Sequence, residues 1–371
     1  MNKAIVELIT SPFKQNHEVP KVTYAVDERN IMLLLKCPSM LVYKAPWYAV
    51  GPYIQTAISN VVKKKTKYRR ESIYLSFDNV EIALDWKEDD TMSARTPIVV
   101  CLHGLGGDSN SSYLQLFTDE CLKRGSRSVV YNRRGHTTNV MPTVPGRKPP
   151  EVFPQHVNMQ DMEEVVNHIR SKYPHAPKYL VGFSCGANLA VRYIAKHPKV
   201  FLAAASVCNG YDIWNLNTLR PEANKLGAKY LKDVLKANLN QCMVLAKQKG
   251  VDIDFEKALK SKTIGDFEKA VVVPAYGYIS LKEYYDDASS HRALYNVRDP
   301  LLCLNSRDDP IIPKDMINIA RNAAIVNPNI ICVDTKCGGH IGWLESKSDI
   351  PWHIKVIFEY FGSVAENVYK K

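Results

Sequence analysis

The 371 residues, 46% of them hydrophobic, suffice to bury a core of full domain size, and a single catalytic domain carrying an insertion is expected. Nine cysteines, an odd number at irregular spacing with no C-x-x-C pair, fit a reducing compartment better than a disulfide framework. The net charge of +11 is spread along the whole chain, so it bears first on solubility and then on attraction to anionic surfaces or acidic substrates, and no nucleic-acid partner is expected.

The first twenty residues contain no continuous apolar segment of the kind that marks a secretory signal. The longest apolar run nearby, Ile31–Leu35, is far short of the roughly 20 residues that cross a bilayer. A cytoplasmic or peripherally membrane-associated protein is therefore expected. Residues 1–70 read as an N-terminal extension ending in a basic stretch, Lys63–Arg70, which is a solvated face or a membrane-surface contact.

From Ser72 the pattern changes. Ile73, Leu75 and Phe77 alternate with polar residues, as do Ile82, Leu84 and Trp86, which predicts a hairpin. Apolar strands follow at Ile98–Leu102, Ser128–Tyr131, Tyr179–Phe183, Leu202–Val207, Leu301–Asn305 and Asn329–Val333. Between them lie segments with apolar residues at helical spacing, such as Met162, Val165, Val166 and Ile169. Strands alternating with helices predict an α/β fold, a mostly parallel sheet covered on both faces. The alternation breaks over about 210–282, a Lys-rich, helix-like stretch that reads as a helical cap inserted into a catalytic domain spanning 71–371.

The sharpest chemical signal is Gly182-Phe183-Ser184-Cys185-Gly186, a G-x-S-x-G placed between an apolar strand and a helix-like run. A serine on such a turn is presented at the strand end, and the flanking glycines let the backbone bend without Cβ clashes. A nucleophilic serine needs a base and a group that orients the base. Downstream, the strand Leu301–Asn305 runs into Asp308-Asp309-Pro310; either aspartate could serve, and Asp309 is preferred because it abuts the Pro310–Pro313 loop. After the last predicted strand comes Gly338-Gly339-His340, a tight loop suited to swinging an imidazole over the serine. Ser184, Asp309 and His340 are thus the candidate catalytic residues.

A tetrahedral intermediate also needs two backbone N–H donors. Cys185, after the nucleophile, is one candidate, and Leu105 in His103-Gly104-Leu105-Gly106-Gly107 is the other. His103 and Gly104 in that loop, and Trp214, Leu216, Leu219, Tyr276 and Tyr278 in or beside the cap, are candidates for the substrate pocket. His156 and Asp161 match the H-x-x-x-x-D spacing of glycerolipid acyltransferases, but two fixed positions are a weak pattern and Asp161 suits a helix start.

From about residue 40 to the C-terminus the chain resembles the α/β-hydrolase branch that contains the bacterial YheT esterase and the animal abhydrolase-domain one and three lipid esterases. The resemblance rests on Tyr43-Lys44-Ala45-Pro46-Trp47 with Gln55-Thr56, Ala83-Leu84-Asp85-Trp86, His103-Gly104-Leu105-Gly106-Gly107 and Tyr131-Asn132-Arg133-Arg134-Gly135-His136. It continues through the serine motif with Ala187-Asn188, Tyr284-Tyr285 with Ala288-Ser289-Ser290, Asp308-Asp309-Pro310 and Gly338-Gly339-His340. It implies a carboxylic ester hydrolase acting on acylglycerols, phospholipids or smaller esters through an acyl-enzyme, with no metal or organic cofactor. Cys185 and His136 depart from the residues usual in that branch. Acyl transfer on the same triad, and a non-catalytic ligand-binding protein of the same fold, are the competing expectations.

Overall fold

The computed structural model describes residues 16–49, 51–61, 66–77, 80–134, 159–214 and 221–369. Strands β1 (Asn16–Glu18) and β2 (Lys21–Tyr24) precede helix α1 (Glu28–Leu35), strand β3 (Tyr43–Ala45) and helix α2 (Pro52–Val61). The predicted hairpin is β4 (Arg69–Tyr74) and β5 (Glu81–Lys87), antiparallel with Ile73 opposite Ile82. The alternation follows as β6 (Ile98–Leu102), α3 (Ser112–Lys123), β7 (Arg127–Asn132), α4 (Met159–Lys172), β8 (Lys178–Phe183), α5 (Cys185–Lys196) and β9 (Ala203–Val207). Helices then follow one another: α6 (Pro221–Ala237), α7 (Leu239–Lys249), α8 (Phe255–Leu259), α9 (Ile264–Ala270), α10 (Val272–Ala275) and α11 (Leu281–Ala288). The chain ends through β10 (Leu301–Ser306), α12 (Met316–Val326), β11 (Ile330–Thr335) and α13 (Trp352–Tyr369).

Among the described residues nine of these strands form one sheet in the order β2-β11-β10-β9-β8-β6-β7-β5-β4, while β1 and β3 pair with each other. The strands from β11 to β7 run parallel, and β2 and β5 join the two sides antiparallel. Successive residues of a strand point to opposite faces, so one strand feeds two cores. Ile98, Val100 and Leu102 of β6 pack in the cluster holding Met162, Val165, Val166 and Ile169 of α4. Val99 and Cys101 pack on the other face with Phe117 of α3 and Ile357 of α13. This double burial explains why the central strands read as unbroken apolar runs.

The stretch read as an N-terminal extension contributes a strand to this sheet. Val22 of β2 sits opposite Val333 of β11. A four-residue edge strand that stays partly exposed leaves no apolar run to read in the sequence. The helices after β9 carry their own small core, with Leu231, Leu235, Leu245 and Phe267 buried together.

The register levels the carboxyl ends of the strands that matter. Leu102 pairs with Gly182, Phe183 and Leu304 both pair with Val207, and Ser306 pairs with Thr335. The chain leaves β6 toward β7 on one side, while β8 lies on the other. Loops departing in opposite directions from neighbouring strands open a crevice at that point, where α/β sheets place their ligands.

Beside this crevice Arg134 and Asp161 form a bidentate ion pair, Nε to Oδ2 at 2.6 Å and Nη2 to Oδ1 at 2.7 Å, with both side chains buried. The Asp161 carboxylate of the H-x-x-x-x-D pattern is thus committed to a buried guanidinium; His156 lies outside the described residues. Removing one partner strands a charge in a site that cannot solvate it. Asp161→Ala should therefore lower the free energy of unfolding by about 3–5 kcal/mol, read from denaturant midpoints. A loss below about 1 kcal/mol would mean that the arginine reaches water.

Candidate active site

Ser184 is the residue between β8 and α5, and its backbone, φ 55° and ψ −120°, lies where side chains other than glycine are strained. Its N–H still donates to Val207 O at 2.8 Å, so the sheet ladder holds the turn in place. The flanking glycines answer to crowding. A Cβ on Gly182 would come 2.6 Å from Ala187 Cα, and one on Gly186 would come 2.6 Å from His103 O. The helix start thus presses directly on the end of β6, and only glycine fits at the contact.

His340 follows β11 on a loop that two residues from α2 help to shape. Its N–H donates to Thr56 Oγ1 at 2.8 Å, and Leu344 N–H donates to Gln55 Oε1 at 3.0 Å. Gly339, at φ 61°, has no room for a side chain against Pro52 O. The imidazole Nδ1 lies 2.7 Å from Asp309 Oδ2, and both side chains are buried. The other carboxylate oxygen of Asp309 accepts the N–H groups of Ile311 and Ile312 at 2.8 and 2.9 Å. Asp308 serves the loop instead: its Oδ1 accepts Gly339 N–H at 2.9 Å and the Ser306 hydroxyl at 2.5 Å. The structure therefore joins Asp309, and not Asp308, to the imidazole.

Cys208, the residue after β9, brings a thiol into the same group, with its sulfur and the nearest Asp309 and His340 ligand atoms all within 4.8 Å of one another. Burial, and then the Asp309 charge, push that thiol well above its ordinary pKa. A metal would need the thiolate and a free imidazole nitrogen. Here the thiol is kept and Nδ1 is bonded to Asp309, which suits an oriented base better than a ligand set.

The loop after β6 lies over the serine. A Cβ on Gly104 would sit 3.2 Å from Ser184 Cβ, and Gly104 N–H donates to the Tyr113 hydroxyl at 2.9 Å. His103 is fully buried beneath the loop. Its Nε2 accepts Arg133 N–H at 3.1 Å, which leaves Nδ1 to donate to Gly104 O at 2.8 Å. The Arg133 guanidinium reaches His103 O at 2.9 Å and Cys185 Sγ at 3.1 Å, tying the loop to the start of α5. Farther along, Ser109 is held by Asp85 and Asn132, with Ser109 Oγ donating to Asp85 at 2.5 Å and its N–H to Asn132 at 3.0 Å. Burial raises the Asp85 carboxyl, but Arg70, Ser109 and Asn132 more than offset it and hold it below the usual carboxylate range. Cys185 is the first residue of α5, so its N–H has no acceptor within the helix.

Ser184, Cys185, Gly104, Leu105 and His340 all line one cavity of about 460 Å³, within the size range of small-molecule sites. Its walls include Thr56, Tyr113 and Asn188 and, from the stretch after β9, Ile213, Leu226, Tyr230, Ile264 and Glu268. Several residues expected in the pocket stand elsewhere. Trp214 is about two-fifths exposed, its ring packed edge-on to Tyr285. Tyr278 donates to Asp287 at 2.6 Å, and Tyr276 packs among the cap residues. None of these three, nor His103, lies in the cavity wall among the described residues. Leu216 and Leu219 fall outside the described residues. Glu268 carries no sequence signal, whereas Arg133 and Gln55-Thr56 are marked by the family resemblance.

Residues 97–347 match the sequence model of the alpha/beta hydrolase fold. The chain is 35% identical to the phospholipase ABHD3 of Bos taurus, over 76% of this chain and 68% of that protein. It is 27% identical to the monoacylglycerol lipase of Saccharomyces cerevisiae, over 71% of this chain and 58% of that one. Among solved structures it resembles 2,6-dihydroxy-pseudo-oxynicotine hydrolase, with a TM-score of 0.54 and 15% identity over 85% of this chain and 72% of that one. The Pyrococcus furiosus esterase Pf2001 superimposes with a TM-score of 0.51 at 16% identity, over 81% and 94% of the two chains.

Proposed function

The chain belongs to the α/β-hydrolase fold family and is a carboxylic ester hydrolase, and we propose that it cleaves lipid esters with Ser184 as nucleophile, His340 as base and Asp309 as the group that orients it. The observation that carries this reading is the 2.7 Å hydrogen bond between His340 and Asp309 at the cavity that also contains Ser184. In the proposed reaction His340 Nε2 takes the hydroxyl proton as Ser184 Oγ attacks the ester carbonyl. The oxyanion receives the N–H groups of Cys185 and Leu105. Collapse breaks the C–O bond, and His340 returns the proton to the departing alcohol. Water, deprotonated by the same imidazole, then attacks the acyl-enzyme and releases the acid and a free Ser184.

Lipid esters are favoured over other esters by the relatives, a phospholipase and a monoacylglycerol lipase, and by the largely apolar wall of the cavity. The same reading includes contact with a lipid surface. Trp47, Tyr48, Tyr53 and Ile54 are exposed close in sequence to Thr56, which lines the cavity, and aromatic side chains suit a membrane interface. No helix among the described residues is long and apolar enough to cross a membrane.

A panel of monoacylglycerols, phosphatidylcholine vesicles and short p-nitrophenyl esters tests the proposal, together with a fluorophosphonate probe and mass spectrometry of the adduct. Acid release, a probe adduct on Ser184 and co-sedimentation with vesicles are expected. A folded protein that is inert on every ester and unlabelled by the probe would defeat the catalytic reading. Hydrolysis without co-sedimentation would defeat only the surface contact.

A further inference from the structure

We propose that Glu268, with Tyr284 and Tyr285, forms a hydroxyl-binding subsite that selects esters carrying a free O–H over esters without one. The inference rests on the ester-hydrolase reading above and names the substrate feature that this cavity recognises. Glu268 lies on α9 and is only 3% exposed, yet it lines the same cavity as Ser184 and His340. Its two carboxyl oxygens accept the hydroxyls of Tyr284 and Tyr285, both on α11, at 3.3 and 2.6 Å. No cation pairs with it among the described residues. Burial without a counter-charge, opposed only by the two tyrosine hydroxyls, pushes the carboxyl up to about 7.

A carboxylate has roughly four lone-pair positions, and the tyrosines occupy one on each oxygen, so acceptor capacity remains. Asn188, one helical turn beyond Ser184, lines the cavity too. Its Nδ2 donates to Ala288 O at 2.7 Å, tying the end of α11 to the start of α5. Its Oδ1 is a buried acceptor with no hydrogen-bond partner. At Glu268 and Asn188 the wall therefore has acceptor positions left over.

A hydrocarbon chain laid against it would leave these acceptor positions buried with no donor, which is costly. A substrate hydroxyl supplies a donor to the lone pairs that the tyrosines leave open. A trimethylammonium head group has neither O–H nor N–H to offer. The favoured ligand is thus an ester with a hydroxyl either on its alcohol part or on its acyl tail.

Three esters of one chain length separate these sources: the glycerol monoester, the ethyl ester, and the ethyl ester of the ω-hydroxy acid. In the wild type, kcat/KM is expected to favour one of the two hydroxylated esters over the plain ethyl ester, and the preferred one shows where the hydroxyl sits. Glu268→Met should reduce that preference about tenfold or more, mainly through KM, with Glu268→Gln in between. A wild type with no preference overturns the subsite before any variant is made. So does a preference that survives Glu268→Met, with hydroxylated and plain esters losing activity in proportion, because a purely structural carboxyl would act that way. Failure of the underlying reading looks different: all three esters would remain uncleaved and the fluorophosphonate would leave Ser184 unlabelled.

Discussion

Ser184→Ala should lower kcat for ester hydrolysis on the order of 10⁶-fold while the protein stays folded. Alanine keeps the Cβ and removes only the attacking oxygen. The imidazole then has no proton to take, and no acyl-enzyme forms. The loop donors and the cavity survive, so a residue of activity above the uncatalysed rate is expected. Stability should separate the nucleophile from its backbone. Ser184 is held at φ 55° and ψ −120°, a conformation that costs roughly 1–3 kcal/mol for residues with a Cβ. Ser184→Gly should therefore unfold at a higher denaturant concentration than Ser184→Ala, although both are inactive. Fatty-acid release measured beside chemical unfolding reads the two effects independently. Full activity in the alanine variant would place the nucleophile elsewhere.

The sheet was legible in the sequence because its parallel strands are buried on both faces. A segment such as Ile98–Leu102, fully buried in the structure, has no polar position to interrupt it. The serine turn and the histidine loop were legible for a related reason: the glycines at 182, 186 and 339 are required by contacts closer than a Cβ allows. Edge strand β2 was not legible. It is four residues long, partly exposed, and paired with a strand some three hundred residues away. The cavity wall was harder still. Helical periodicity shows that the stretch after β9 folds as helices, but it does not say which face meets Ser184. Trp214 and Tyr278, expected in the pocket, stand outside the wall. Glu268, between Phe267 and Lys269 in sequence, is buried in the structure. Its burial follows from the packing of α9 against α11, which no local pattern encodes.

Asp309→Asn is expected to lower kcat on the order of 10⁴-fold, whereas Asp308→Asn should cost less than about tenfold. The two carboxylates are adjacent in sequence, so composition and charge cannot separate them; the groups that donate to them do. Asp309 Oδ2 lies 2.7 Å from His340 Nδ1, while its Oδ1 is fixed by the N–H groups of Ile311 and Ile312. An amide in that place can present its NH₂ to the imidazole, favouring the tautomer with the proton on Nε2, where the base must accept one from Ser184. It also removes the charge that steadies the imidazolium formed during attack. Asparagine at 308 loses less, because its carbonyl oxygen can still accept from Gly339 N–H and the Ser306 hydroxyl, the two bonds that set the loop. Single-turnover acylation, followed with a chromogenic ester, separates a chemical defect from a shift in binding. Comparable losses in both variants would mean that the charge of the pair matters more than the bond to Nδ1. A larger loss at 308 would make loop placement, and not imidazole orientation, the step that the acidic turn controls.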